Sequence, residues 1–368
     1  MILTTKVKLI CDDEVSLALK SSMVLFSQLC NRISELSMEQ NVFKQFSIHK
    51  IFYQQLRTEF PAAASQLVIR AIANVAGDFS REKNLHHYKE TSALKLDQRL
   101  YSINEKHLSV WTVAGRLKLP MKFTKKHLAL KHSFGAAEIK QDRVSGNFFI
   151  LFSYTADVSA SEVPVNVIGV DKGIVNLATT STGLNFSGAK IEAARKKFYK
   201  HRRSLQKCGT KSAKRRLKKL SRRESRFKAD VNHQISKQLV ENAKGTASAI
   251  ALENLSGISK RTTVTKEQRA RHKGWSFYQL DSFIAYKAER AGVKVVFVDP
   301  AYTSQQCPVC GTTSKQNRKI RDTFSCVSCK HTADADLIGA INIRARGADL
   351  LGLNVNHPIV AITQAFSA

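Results

Sequence analysis

Long apolar runs are missing from this sequence, and acids are scarce beside the bases. No stretch approaches the ~18 consecutive apolar residues that a membrane-spanning helix requires. The opening residues, "MILTTKVKLICDDEV", lack the basic, apolar and small-residue blocks of a secretory signal. Membrane and secreted roles are therefore set aside, and a cytoplasmic protein is expected. Asp and Glu number 29 against 59 Lys and Arg, for a formal net charge of +30. Bases crowded together in that excess repel one another unless a polyanion compensates them, so nucleic acid is the expected partner. Disorder is excluded by the 43% of residues that are hydrophobic. A chain of 368 residues has room for two or three domains of ~100 to 200 residues each.

Cysteine is also sparse, and its spacing matters more than its number. Cys11, Cys30 and Cys208 are scattered, as packing residues in a reducing compartment would be, and give no disulfide framework. The other four, Cys307, Cys310, Cys326 and Cys329, form two C-x2-C knuckles separated by 15 residues. That spacing brings four thiolates to one tetrahedral ion, the ligand set of structural zinc. A redox dithiol needs one such pair, not two. With no open coordination position, the zinc supports a ribbon and activates no water.

Periodicity divides the chain. Residues 4–11 alternate and predict a strand. From 12 to 95 the spacing turns helical, with Leu17, Leu19, Val24, Leu25, Leu29, Ile33 and Leu36 in one run. Leu67, Val68, Ala71, Ile72, Val75 and Phe79 form a second, which Pro61 is placed to open. Between 96 and 160 the period returns to two: Leu117, Leu119, Met121 and Phe123 alternate, and Gly146-Asn147 signals a hairpin. The first strand is expected to join this later β region, making the helical part an insertion. From Val165 onward, apolar strands alternate with helices in α/β order: "VNVIGVD", "IVNLATTS", "LNFSG", "ASAIALE", then the helix "WSFYQLDSFIAYKAERAG" and "VKVVFVD".

Residues 191–230 carry 17 Lys or Arg and 3 acids. Leu217, Leu220 and Phe227 give them helical spacing, so one long basic helix is predicted. A solvated helix face normally mixes signs, whereas a one-sided charge suits a nucleic-acid channel.

Asp171 ends "VNVIGVD" and Glu253 ends "ASAIALE". Acids at the carboxyl ends of neighbouring strands meet in the crevice where open α/β sheets bind ligands. Either alone is simply a polar residue where a strand surfaces. A third carboxylate, from Asp334 or Asp336, changes the chemistry. Three acids in one crevice need cations, and oxygen ligands suit Mg2+ or Mn2+. Two such ions ~4 Å apart stabilise the entering and leaving oxygens of a phosphodiester, which points to a nuclease. Since "LIGAINIRARG" reads as a helix, one of the two aspartates also suits its N-cap, and the spacing leaves open which.

Four stretches now matter together: "IGVDKGIVNLATTS", "NHQISKQLVENAKGTASAIALENLSGI", "WSFYQLDSFIAYKAERAGVKVVFVDPAYTSQQCPVCG" and "FSCVSCKHTADADLIGAINI". They cover most of residues 165–345 and resemble the transposon-encoded TnpB family, RNA-guided nucleases related to type V CRISPR effectors. The resemblance implies a multidomain chain of α+β and α/β parts: a wedge-type β-barrel over 1–11 and 96–160, interrupted by a helical recognition bundle over 12–95. An RNase H-like (RuvC) domain over 165–302 and 332–368 then carries a zinc ribbon, 303–331. The family's catalytic acids fall on Asp171, Glu253 and Asp336, leaving Asp334 to cap. The implied partners are a guide RNA from the element's end and double-stranded target DNA beside a short protein-read motif, placing the protein at the nucleoid. Phosphate contacts are expected from Arg202, Arg203, Lys214, Arg215, Arg216, Lys218, Lys219, Arg222 and Arg223.

Two positions depart from the family pattern. Ile338 stands where the family commonly has asparagine, and an apolar side chain cannot orient a metal ligand; Lys330 replaces a usual glycine. An RNA-guided repressor without cleavage and a guide-independent resolvase or transposase are the competing functions. The polar, basic stretch 256–275 reads as a mobile lid, and the tail after Gly347 as a closing helix with an extended end.

Overall fold

The alternating first residues form β1 (Ile2–Lys8), with Val7 buried and Lys6 and Lys8 exposed. The structure, a computed structural model, describes residues 1–104, 107–121, 124, 127, 130, 133–255 and 277–353. The chain divides into two compact units, Met1–Ala156 and Asp157–Ala368.

In the first unit three helices follow β1: α1 (Asp13–Glu39), α2 (Gln45–Glu59) and α3 (Ser65–Phe79). The Asp12 carboxylate caps α1 by accepting from the Val15 N–H at 2.8 Å. Leu19, Leu29 and Ile33 of α1 and Leu67, Ala71 and Val75 of α3 are buried as their spacing predicts, but Leu17 is 65% exposed. Pro61 lies in the turn after α2 instead of opening α3, because α2, with Ile48, Phe52 and Leu56 buried, is a helix of its own.

Seven strands complete the unit: β2 (Leu94–Leu96), β3 (Tyr101–Ile103), β4 (His107–Thr112), β5 (Gly115–Pro120), β6 (Phe134–Gln141) and β7 (Phe148–Thr155), with β1. They form two antiparallel sheets, β1-β7-β6-β2 and β3-β4-β5, so the first strand does join the later β region. The β6–β7 hairpin turns where Gly146 takes φ +71°, a left-handed conformation that glycine adopts without penalty. Phe123 lies outside the described residues. One hydrophobic core joins helices and sheets, with Phe26, Phe52 and Phe79 packed alongside Phe148 and Phe152. The expected division at 95/96 therefore cuts through β2 and through this shared core.

The second unit begins with β8 (Asn166–Asp171), β9 (Asn176–Thr180) and β10 (Asn185–Ser187). Then come α4 (Ala189–Cys208), α5 (Lys211–Gly245), β11 (Ser248–Glu253), α6 (Phe277–Ala291) and β12 (Val295–Val298). Its sheet has the order β10-β9-β8-β11-β12. β9 runs antiparallel to both β8 and β10, whereas β11 runs parallel to both β8 and β12. The basic segment is thus two helices, not one. Gly209 ends α4 at φ +66° and the Thr210 hydroxyl starts α5 by accepting from the Ala213 N–H.

A small ribbon follows, with a 3-10 turn at Lys315–Arg318 and β13 (Thr323–Ser325) paired to β14 (Thr332–Asp334), three residues past the expected boundary at 331. The last described helix is α7 (Ala335–Leu351). Strand alternation sends Ile168, Val170, Ile250 and Leu252 toward α5 and α6 on one face, while Val167, Ala249 and Ala251 meet Ile343 and Ala348 of α7 on the other. Gly169 permits α7 to lie directly on β8. A Cβ there would fall 2.1 Å from the Ala340 carbonyl oxygen and 2.4 Å from the Arg344 nitrogen.

No helix among the described residues is long and apolar enough to cross a membrane. Residues 256–275, read as a lid, and the tail beyond Leu353 lie outside the described residues.

Candidate active site and four-cysteine cluster

β8 and β11 are adjacent and parallel, and their pairing runs through Val170 and Leu252. The next residue on each strand is an acid, so Asp171 and Glu253 emerge side by side at the same edge of the sheet. α7 brings the third acid. Its N-cap is Asp334, whose Oδ1 accepts from the N–H groups of Asp336 and Leu337, both at 2.9 Å. That capping starts the helix so that Asp336 falls in its first turn, and Gly339, one turn on, lies against Asp171: a Cβ there would be 3.1 Å from Asp171 Oδ2.

Electrostatically, Glu253 and Asp336 both act on Asp171. Burial, then the charges of Glu253 and Asp336, push the Asp171 carboxyl up to about 7. Burial likewise raises Glu253, against the Thr303 hydroxyl, Lys172 and Arg346. Each acid also has a fixed neighbour. The Thr303 hydroxyl donates to Glu253 Oε1 at 2.5 Å. Asn176 Nδ2 donates to Asp336 Oδ2 at 2.9 Å, and Arg318 Nη2 approaches Asp336 Oδ1 at 3.2 Å. Asn342 of α7 pins the loop that carries Thr303, donating to the Thr303 and Gln306 carbonyls at 2.7 and 2.8 Å. Such a set of carboxylate oxygens, with Glu253 and Asp336 both disfavouring the charge on Asp171, fits a hard divalent cation, which would relieve that repulsion.

Sequence reasoning did not single out Asn176, Thr303, Arg318 or Lys172. Nor did it show where Ile338, the departure from the family pattern, packs. That side chain is fully buried with Cys307, Phe324, Cys326 and Ala335, beneath the cysteines, and the amide that reaches Asp336 comes from Asn176 on β9.

Cys307, Cys310, Cys326 and Cys329 have ligand atoms all within 4.8 Å of one another, and all are free thiols. Sulfur pairs lie 3.6 Å apart for Cys307 and Cys329 and 3.5 Å for Cys310 and Cys326. Tetrahedral Zn–S bonds of ~2.3 Å place sulfurs ~3.8 Å apart, so the cluster is compatible with zinc. Burial pushes Cys307 up to about 12, whereas hydrogen bonds with Thr312 hold Cys310 down to about 6. A dication would hold all four as thiolates. The two knuckles are tied by Asn317, also missed from sequence. Its amide donates to the Gln305 and Thr312 carbonyls at 2.9 and 3.0 Å, and its Oδ1 accepts from the Val327 N–H at 2.9 Å.

On the α4–α5 hairpin, Arg203, Lys214, Arg215, Arg216, Lys218, Lys219 and Arg223 are exposed, while Arg202 and Arg222 are half-buried. Arg202 is committed inward, to Glu224, which also takes Lys228 Nζ at 2.8 Å. The clasp neutralises part of the hairpin's own charge and leaves an outer face of bases.

Two family models match: "Probable transposase" over residues 151–257 and "Cas12f1-like, TNB domain" over 277–343. Putative RNA-guided DNA endonuclease InsQ of Escherichia coli is 30% identical, covering 56% of this chain and 55% of that protein. Two proteins of Methanocaldococcus jannaschii also match. A TnpB-like protein is 28% identical over 53% of this chain and 69% of its own length, and a putative transposase is 34% identical over 21% and 79%. The chain spans about half the length of the longer curated relatives. Among solved structures, the cryo-EM structure of a Cas12f1–sgRNA–target DNA complex superposes with a TM-score of 0.65 at 13% identity, covering 91% of this chain and 83% of that one. At that identity the likeness is one of fold, and the fold is Cas12f-like, multidomain and α+β. Because the two family matches contain the three acids and the four cysteines, the chain belongs to the transposon-encoded TnpB family.

Proposed function

We propose that this protein is an RNA-guided DNA endonuclease of a transposable element, acting on nucleoid DNA in the cytoplasm. The observation that carries the reading is that Asp171 and Glu253 end adjacent parallel strands while Asp336 opens the helix packed on β8, so that the charges of Glu253 and Asp336 both raise the Asp171 carboxyl. In this reading Asp171, Glu253 and Asp336 hold Mg2+ or Mn2+. Two such ions, held by these three carboxylates, would supply stabilisation of the entering and leaving oxygens of the phosphodiester. The chain's own residues do the rest: Thr303 orients Glu253, and Asn176 and Arg318 orient Asp336.

The sheet, antiparallel through β10, β9 and β8 and parallel through β11 and β12, supports an RNase H-like (RuvC) domain over 165–302 and 332–368. Zinc on the four cysteines makes the ribbon, 303–331, a scaffold that sets α7. The two sheets and the inserted helices of residues 1–156 fit a wedge-type barrel with a recognition bundle, which read the guide scaffold and a short motif beside the target. The exposed bases of the α4–α5 hairpin take the phosphates of the guide–target duplex or the RNA scaffold. Relatives named as RNA-guided DNA endonuclease and CRISPR-associated endodeoxyribonuclease support the assignment.

The test is a purified ribonucleoprotein, a matching plasmid and Mg2+, with Asp171→Ala beside it. Cleavage that vanishes in the variant while DNA binding survives is expected; an intact plasmid under demonstrated binding refutes the nuclease and favours the repressor. Ile338, the sole sequence feature behind a repressor, packs under the cysteines away from this role. Sequencing the RNA that co-purifies separates both from a guide-independent resolvase, which would carry no discrete species.

A further inference from the structure

Directly after Asp171, at the end of β8, comes Lys172, whose side chain is wholly shielded from solvent (0% exposed). Its ammonium donates to Asp281 Oδ1 on α6 at 2.6 Å and to the backbone carbonyl of Glu253 at 3.2 Å. Burying an ammonium costs several kcal/mol, and a buried ion pair at best breaks even with apolar residues of the same volume. Asp281 gains little, since burial raises its carboxyl further than Lys172 lowers it. Stability alone therefore gives no reason for a charged pair here.

What the pair grips does give one. The β8–β11 ladder ends at Val170 and Leu252, so the main chain of Glu253 lies just beyond its last rung, and the Lys172 ammonium holds it there. Lys172 also follows Asp171 directly in the chain, so its anchoring on Asp281 fixes the end of β8 that carries that acid. One residue thus braces two of the three acids, while Thr303 fixes the far end of Glu253. We infer that Lys172, anchored by Asp281, is a positioning residue that sets the spacing of Asp171 and Glu253 for divalent-cation binding. The inference rests on the carboxylate site proposed above. Groups that support metal ligands from behind are worth ~10- to 100-fold in metal affinity.

The double substitution Lys172→Met/Asp281→Leu removes the brace without leaving a buried orphan charge. The full-length, zinc-loaded chain without RNA is titrated with Mn2+, free ion being read by electron paramagnetic resonance, for wild type, Asp171→Ala, Lys172→Met/Asp281→Leu and Asp281→Asn. Thermal unfolding is followed in parallel. The double variant is expected to melt near wild type yet bind Mn2+ ~10- to 100-fold more weakly, with the Mg2+ midpoint for plasmid cleavage rising to match. Asp281→Asn is expected to shift both in the same direction by less, and it carries the test if the double variant fails to fold. Wild-type Mn2+ affinity in a folded brace variant, beside weakened binding in Asp171→Ala, overturns the inference and leaves the carboxylate site standing. Unchanged binding in Asp171→Ala overturns both.

Discussion

Gly169→Ala is the sharpest probe of how the fold positions the chemistry. The added methyl would sit 2.1 Å from the Ala340 carbonyl oxygen, 2.4 Å from the Arg344 nitrogen and 2.9 Å from the Arg344 Cα, all of them helix backbone. Ordinary contact starts near 3.4 Å, so α7 must retreat by roughly 1 Å, since close-packed interiors offer no slack. Overpacking of this kind costs ~1 to 3 kcal/mol. For a unit of about 200 residues that lowers the melting temperature by ~2 to 12 °C. Activity suffers more, because Asp336 rides on the same helix and a ~1 Å misplacement of a reacting group costs ~100-fold in rate. The assay is plasmid cleavage by the ribonucleoprotein at saturating DNA, with thermal unfolding of the same preparation. Gly77→Ala in α3 is the control, since a Cβ there meets nothing within 4 Å and alanine in a helix should stabilise by ~0.5 to 1 kcal/mol. If Gly169→Ala matched wild type in both melting and cleavage, the claim that α7 is seated on this glycine would fail.

Asp171→Asn should abolish cleavage and, in Mg2+-free buffer, stabilise the fold. An acid raised to about 7 in the folded state favours folding fully at low pH. That contribution is lost as pH climbs from the ordinary carboxylate range through about 7, so melting curves between pH 4.5 and 7.5 should fall in wild type and flatten in the variant. Cys326→Ser should drop bound zinc from about one ion per chain to none by metal analysis and open the ribbon to protease; retained zinc would contradict the four-sulfur site. Reversing Lys214, Arg215 and Lys218 to Glu should weaken RNA binding and flatten its salt dependence, whereas Arg202→Ala should act mainly through stability because Glu224 loses one of its two basic partners and keeps only Lys228.

What could be read in advance followed from local spacing. The strand-end acids, the α/β order and the cysteine knuckles each depend on residues a few positions apart, and the structure brings Asp171 and Glu253 together as their strands imply. The break in the basic segment was also local, in "CGTK", but charge periodicity on both sides masked a glycine C-cap followed by a threonine N-cap. The groups that tune the site were not legible. Asn176 reaches Asp336 across 160 residues and Thr303 reaches Glu253 across 50, and no pattern in one dimension records such pairings. The packing of Ile338 was hidden in the same way: its neighbours in sequence are acids and helix, while its neighbours in space are the cysteines.

Asp334 sets the phase of the helix that follows it. Because its carboxylate accepts from the N–H of Asp336 itself, the first helical turn is clocked from that cap, and the interval between the two aspartates decides which way Asp336 points. One residue inserted between them would rotate Asp336 by ~100° about the axis, out of the crevice, with every ligand type intact. The capping acid thereby acts as the index mark for the acid proposed to hold the metal.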